Sequence, residues 1–259
     1  QAARAARSPV LMMNLDSVPG RANRWIARHA TSILTTAAVP GEPWKRIPPL
    51  VRRAALWVGS KEEARTSLGL AADQPTLFIT GASQGARSIN RFMIEFVRQS
   101  PSLLSGWQII HQTGPTDASE VRAAYEAAGL RSLVTEFVDA MGPCWAAAEL
   151  AIARAGAGSV AEAWAARVPS IFLPYPYHAD QHQRANAAEL VNGGGALVAL
   201  DHIEPAHNLA GEPGEALRAL LANPDQRAQM RLNLAALGVV DGAARVAAEI
   251  QRLSGWTAR

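Results

Sequence analysis

Thr76-Leu77-Phe78-Ile79-Thr80-Gly81-Ala82-Ser83-Gln84-Gly85-Ala86-Arg87 decides the fold. Five residues of strand-forming character run without a polar break into a turn of small residues, and the turn opens an amphipathic helical pattern. A strand that stops in this way leaves free backbone N–H groups and the positive end of a helix dipole at one point, where a phosphate or a sugar can sit. A tight turn filled with small residues is the plainer alternative. A nicotinamide-dinucleotide fold would place Gly-x-Gly-x-x-Gly here and an acidic residue at the end of the next strand. The spacing is instead Gly81-x-x-x-Gly85, and the next apolar run, Trp107–Gln112, closes on His111-Gln112, so that class is set aside.

Outward from this stretch, short apolar runs alternate with amphipathic ones, the pattern of βαβ units and a parallel sheet. Strands are expected at 9–14, 31–36, 76–80, 107–112, 133–137, 150–153, 170–174 and 195–199. Helices are expected over Gly20–His29, Arg87–Arg98, Ala118–Ala128, Ser159–Ala166, Gln181–Asn192, Gly214–Leu237 and Asp241–Leu253. Pro40, Gly41, Pro43, Pro48 and Pro49 interrupt the rhythm and mark a boundary. The expected domains are therefore 1–50, 51–240 and a terminal helix 241–259 that needs a surface for Val246, Ile250 and Leu253. Two strands before Pro40 are too few to cover Val10, Leu11, Met13, Ile33 and Leu34 fully, whereas six strands from about Asp73 onward make a complete sheet.

Hydrophobic residues at 49% and charged residues at 18% exclude a disordered chain, and a net charge of +3 gives no basic stripe for nucleic acid. The opening stretch is locally basic, with Arg4, Arg7, Arg21, Arg24 and Arg28, which fits a solvated helix face or an anionic surface. One cysteine, Cys144, rules out an intrachain disulfide and sets a reducing compartment as the default. No run approaches the ~18 apolar residues of a membrane span, so membrane contact is expected to be peripheral. The chain starts at Gln1 and passes almost at once into a strand-like run, as the middle of a domain would.

Two further clusters follow strands. In Ala151-Ile152-Ala153-Arg154-Ala155-Gly156-Ala157-Gly158-Ser159-Val160-Ala161-Glu162, small residues again precede a helix. The free N–H groups of that helix suit phosphate oxygens, and Glu162, about a turn in, suits the hydroxyls of a ribose or simply complements the helix dipole. In Pro174 to Asn186, Asp180 reads as a helix N-cap, and His178, His182, Gln183 and Asn186 bring groups that donate and accept, as sugar hydroxyls require. His178 and His182 also have the spacing of a zinc pair, but the glutamate of His-Glu-x-x-His is missing and Pro176 places His178 before the helix. No metal and no other cofactor is expected.

Four motifs in order carry a resemblance: Gly81 to Asn90; Thr135-Glu136-Phe137-Val138-Asp139 with Met141; Arg154 to Glu162; and His178-x-Asp180-x-His182-Gln183-x-x-Asn186. Together they resemble the MurG family, the UDP-N-acetylglucosamine:undecaprenyl-diphospho-muramoyl-pentapeptide N-acetylglucosaminyltransferases of glycosyltransferase family 28. Weaker similarity reaches back through Asp16, Gly20, Asn23, Arg24 and Trp25. The resemblance implies an α/β fold of GT-B type, with a complete C-terminal Rossmann-like domain and a truncated N-terminal one. It implies transfer of N-acetylglucosamine, with inversion, to the lipid-linked muramoyl-pentapeptide at the inner face of the bacterial cell membrane. A related acceptor, or a non-catalytic nucleotide-sugar-binding fragment, is the alternative.

Residue by residue, the resemblance places Ser83 and Gln84 at the donor diphosphate or sugar and the Val138 backbone at the uracil. Ala157, Gly158 and Ser159 fall at phosphate, Glu162 at the ribose, His182 or Gln183 at the sugar hydroxyls, and Arg52 at the family's hinge arginine near the diphosphate. The family's His-Glu-Gln-Asn is Met13-Asn14-Leu15-Asp16 here, so Asp16 stands where the sugar-contacting Asn would be. The family's opening loop, Gly-Gly-Thr-Gly-Gly-His, has no counterpart in this sequence. The catalytic base is therefore left unassigned, and the 259 residues alone are not expected to turn over.

Overall fold

The computed structural model describes residues 8–39, 41, 43–81, 85–177 and 182–255, and the chain divides into two compact units, Gln1–Val51 with Val239–Arg259, and Arg52–Gly238. In the first, β1 (Leu11–Asn14), β2 (Ser32–Thr35) and β3 (Lys45–Arg46) form a parallel sheet in the order β1-β2-β3, with α1 (Arg21–Ala27) crossing between the first two. The sequence suggests two strands here, not three. Lys45 and Arg46 are both exposed and lack an apolar signal; the strand exists through backbone pairing of Leu34 with Lys45 and Thr35 with Arg46. Asn14, wholly buried, donates from Nδ2 to Thr35 Oγ1 at 3.0 Å and accepts at Oδ1 from Asn23 Nδ2 at 3.0 Å, which ties α1 to both main strands.

The terminal helix, Gly242–Ser254, belongs to this unit. A Cβ at Gly242 would lie 2.2 Å from the Pro48 carbonyl oxygen, so glycine is what lets the helix start against the Pro48-Pro49 backbone. Ser32 Oγ donates to Glu249 Oε1 at 2.5 Å, and Arg252 pairs with the same carboxylate at 2.6 Å. Ile33 and Leu34 are buried, contrary to the expectation that they would lack cover, while Val10, Leu11 and Met13 are half-buried.

The second unit is built on β4 (Thr76–Thr80), β5 (Gln108–Gln112), β6 (Ser132–Thr135), β7 (Leu150–Ala153), β8 (Ser170–Phe172) and β9 (Ala196–Val198), all parallel in the order β6-β5-β4-β7-β8-β9. Its helices are α2 (Lys61–Ser67), α3 (Arg87–Gln99), α4 (Ala118–Ala127), α5 (Met141–Ala147), α6 (Ala157–Ala166), α7 (His182–Asn192), α8 (Pro205–Ala210), α9 (Glu212–Ala222) and α10 (Pro224–Ala236). Every residue of β4, β5 and β7 is buried, as strands covered on both faces must be. Phe92, Met93 and Phe96 of α3 join the core with Leu77 and Ile79, while Phe78, pointing the other way, meets Trp145 of α5 edge-on at 5.0 Å.

Helix punctuation accounts for the differences from expectation. The single helix expected over Gly214–Leu237 is two, because Pro224 cannot continue α9 and instead sits at the start of α10, where Asn223 Oδ1 accepts from Gln226 N at 2.9 Å. α2 is an addition fixed by a capping box: Ser60 Oγ accepts from Glu63 N at 3.1 Å, and Glu63 Oε2 accepts from Ser60 N at 2.7 Å. Glu149, just ahead of β7, takes Lys61 Nζ at 2.5 Å and Arg65 Nη2 at 2.9 Å from α2, and Arg231 Nη2 at 2.9 Å from α10.

The strand order places the site. From β4 the chain moves outward through β5 and β6, then returns to the other side of β4 with β7, β8 and β9. The crossovers diverge between the carboxyl ends of β4 and β7, leaving the crevice in which open α/β sheets take their ligands. Among the described residues no helix is long and apolar enough to cross a membrane.

Candidate functional site

One wall of the crevice is the turn after β4. Ser83 and Gln84 lie outside the described residues, but the turn's two glycines are fixed in place. A Cβ at Gly81 would lie 2.1 Å from Ala86 N, and Gly85, at φ +73°, would bring one to 2.3 Å from the Thr113 carbonyl oxygen beyond β5. Gly85 is thus wedged against the end of the neighbouring strand.

A buried polar chain holds the same corner. Asn90 Nδ2 donates to Thr113 O at 3.0 Å, which leaves its Oδ1, 3.0 Å from His111 Nε2, as an acceptor. The imidazole proton is therefore on Nε2, and Nδ1 accepts from the Tyr125 hydroxyl at 2.7 Å. Burial pushes the His111 pKa down to about 3 and the Tyr125 phenol up, so both stay neutral. His111 is next to last in β5, where an acid was sought, and it is wholly enclosed: it joins Asn90 to Tyr125 and is not available as a general base.

The opposite wall is β7 and the start of α6. Gly156 caps α6 without a side-chain hydrogen bond, and the first intrahelical bond of the helix runs from Val160 N to Gly156 O. The N–H groups of Ala157, Gly158 and Ser159 therefore precede the helical ladder and converge at the positive end of its dipole. A Cβ at Gly156 or Gly158 would meet nothing within 4 Å, so these glycines leave room in front of the helix instead of packing into the protein.

Glu162 is buried one turn further along α6. Its Oε1 accepts from Arg52 Nη2 at 3.1 Å and its Oε2 from Trp145 Nε1 at 2.9 Å. Two residues marked out separately in the sequence, Arg52 and Glu162, thus meet across 110 positions; Trp145 is an addition. Cys144, beside Trp145, is buried, and burial pushes its thiol up to about 12, so it stays protonated.

Arg154, at the end of β7, organises the rest of the edge. Nη1 donates to the Leu173 carbonyl at 2.9 Å and to Asp201 Oδ2 at 2.6 Å, while Nη2 donates to Ser88 Oγ at 2.8 Å. Ser88 Oγ in turn donates to Asp201 Oδ2 at 2.6 Å, and Asn208 Nδ2 donates to Oδ1 at 2.9 Å. Burial works to raise the Asp201 pKa, but the Ser88 and Asn208 hydrogen bonds and the Arg154 charge outweigh it and hold the carboxyl below its usual value. One guanidinium therefore joins the start of α3, the end of β7, the segment after β8 and the segment after β9.

The segment after β8 leads to the third motif. His178 and Asp180 lie outside the described residues, so the expected N-cap does too. His182 and Gln183 open α7; Gln183 Oε1 accepts from Tyr175 N at 2.8 Å, and Asn186 Nδ2 donates to Ala155 O at 3.3 Å, which holds α7 to the loop before α6. Pro174, Tyr175, Gln183, Arg184, Leu200 and Asp201 contribute to a cavity of about 90 Å³ beside them. Val138, half-buried, follows β6 on the same carboxyl edge, and Asp16 follows β1 in the other unit, its carbonyl accepting from Asn14 Nδ2 at 2.7 Å. Among the described residues no three His, Cys, Asp or Glu side chains are grouped to hold a metal ion.

Residues 76–246 match the glycosyltransferase family 28 C-terminal domain. The UDP-N-acetylglucosamine–N-acetylmuramyl-(pentapeptide) pyrophosphoryl-undecaprenol N-acetylglucosamine transferase of Desulfotalea psychrophila is 33% identical over 97% of this chain and 67% of its own length. Its namesake from Clavibacter michiganensis subsp. michiganensis is 35% identical over 95% of this chain and 65% of its own. The crystal structure of Acinetobacter baumannii MurG superposes with a TM-score of 0.74 at 26% identity, covering 97% of this chain and 69% of that one. The chain spans about two thirds of the length of these relatives.

Proposed function

The chain belongs to glycosyltransferase family 28, and from that premise we propose that Arg52–Gly238 binds UDP-N-acetylglucosamine for transfer to undecaprenyl-diphospho-N-acetylmuramoyl-pentapeptide. The observation that carries this reading is the start of α6: three N–H groups ahead of the helical ladder, open space before Gly156 and Gly158, and the Glu162 carboxylate one turn away, all in the switch-point crevice. A diphosphate on the helix start brings an attached ribose within range of Glu162.

In this reading Ser83 and Gln84 serve the diphosphate or sugar, the Val138 backbone the uracil, His182 or Gln183 the hydroxyls of N-acetylglucosamine, and Asp16 the sugar. The acceptor's C4 hydroxyl displaces UDP at the anomeric carbon with inversion, losing its proton to a base not assigned within this chain. The α6 dipole and Arg52 stabilise the charge that develops on the leaving diphosphate. The lipid acceptor sets the place of reaction at the inner face of the cell membrane, with the protein bound peripherally.

Calorimetric titration with UDP, UDP-N-acetylglucosamine, ADP and GDP tests the donor. The uridine nucleotides should bind more tightly, and equal affinity for ADP would overturn the uridine assignment. UDP release with a lipid-linked muramoyl-pentapeptide analogue tests the acceptor.

A further inference from the structure

We propose that Trp145 is a positioning residue for Glu162 and that, through it, the site favours ribose over 2′-deoxyribose in the donor nucleotide; this rests on the assignment of Glu162 to the ribose. A glutamate on a helix reaches its carboxylate through three rotatable bonds, so its direction is only as well fixed as its partners. The two partners of Glu162 differ in kind. Arg52 approaches Oε1 with a side chain that is 69% exposed, and such a contact holds weakly and yields easily. Trp145 is wholly buried, and its indole is set edge-on against Phe78 in the middle of β4. Its single N–H, 2.9 Å from Oε2, is therefore aimed from a helix residue whose ring is held against the sheet.

The consequence is geometric. Each carboxylate oxygen accepts from about two directions, and the Trp145 N–H takes one of those on Oε2. With that bond made, the plane of the carboxylate is fixed and the remaining lone pairs point in set directions. A vicinal diol, giving two hydrogen bonds at a fixed spacing, gains from a carboxylate held in one orientation. A sugar with a single hydroxyl does not, because it can follow a carboxylate that swings. Loss of the indole N–H should thus remove the benefit of the second hydroxyl more than it removes binding as such.

The chain, its Trp145→Phe variant and a variant carrying 3-benzothienylalanine at position 145, which keeps the ring's shape and replaces N–H by sulfur, are titrated with UDP and with 2′-deoxy-UDP. The unaltered chain should prefer UDP by about tenfold, the worth of one hydrogen bond to a charged acceptor. In both variants the ratio should fall to about twofold or less, with 2′-deoxy-UDP affinity little changed and the benzothienyl variant melting near the unaltered chain. Retention of the tenfold ratio, or equal loss of both nucleotides, would overturn the positioning role. If the unaltered chain binds no UDP, or binds both nucleotides equally, the ribose assignment of Glu162 fails first and the role of Trp145 falls with it.

Discussion

Acidification from pH 7 to pH 5 should cost the fold about 2 kcal/mol through His111 alone. The ring titrates near 6.5 when solvated, and burial moves it to about 3 in the folded chain. Between those values the unfolded chain binds a proton that the folded chain does not. Stability is therefore complete above the unfolded value, begins to fall as the pH drops through 6.5, and continues to fall toward 3. At pH 5 the unfolded ring is about 1.5 units below its pKa, and at ~1.4 kcal/mol per unit the loss comes to about 2 kcal/mol. Carboxylates held low, such as Asp201, add little in this window because their solvated values lie below it. Urea unfolding at the two pH values, on the unaltered chain and on His111→Gln, measures the difference: the variant should lose about 2 kcal/mol less. Should the variant fail to fold, ring resonances of the unaltered chain decide the matter. One imidazole of the six should stay neutral from pH 8 to pH 4, and titration of all six near 6.5 would refute the reasoning.

Arg52→Ala should weaken UDP by about 0.5–1.5 kcal/mol, through loss of a diphosphate partner, while leaving uridine unchanged or slightly tighter because a competitor for Glu162 is gone. Calorimetry with both ligands checks it, and a parallel fall would place Arg52 at the nucleoside. Gly85→Ala should cost about 2–4 kcal/mol in chemical denaturation, since it combines a positive φ with a Cβ driven into the Thr113 carbonyl. Arg154→Met should cost about 3–5 kcal/mol by leaving Asp201 buried without its cation, and Arg154→Met with Asp201→Asn should recover part of that loss.

The parts of the fold that announce themselves in sequence are those whose side chains face one environment throughout. β4, buried along all five residues, reads as an unbroken apolar run, and Gly156 to Glu162 reads as a strand end opening a helix. β3 is silent because only its backbone takes part, its two side chains being exposed. The break between α9 and α10 is legible in Asn223-Pro224, but the helical periodicity on either side outweighs it; α2 is legible in Ser60-x-x-Glu63, but its seven residues are too few to show a period. At the site, Arg52 and Glu162 were each visible as residues, yet their pairing depends on a separation of 110 positions that only the sheet order resolves. Trp145, Ser88 and Asp201 carry no local mark at all: each looks like an ordinary helix or loop residue until β7 brings Arg154 and α6 beside it. The enclosure of His111 is not legible either, because a strand buried on both faces cannot be told by periodicity from one buried on a single face.

The carboxylate of Glu149 gathers a cation pair from the first helix of the Arg52–Gly238 unit and a third cation from its last. A segment set into the middle of another domain's chain must keep its entry and exit from fraying apart, and here both are stitched to the same residue, just ahead of β7. Val51/Arg52 and Gly238/Val239 are accordingly natural seams for exchanging this segment between relatives as a cassette: whatever precedes or follows it, the knot at Glu149 travels with it.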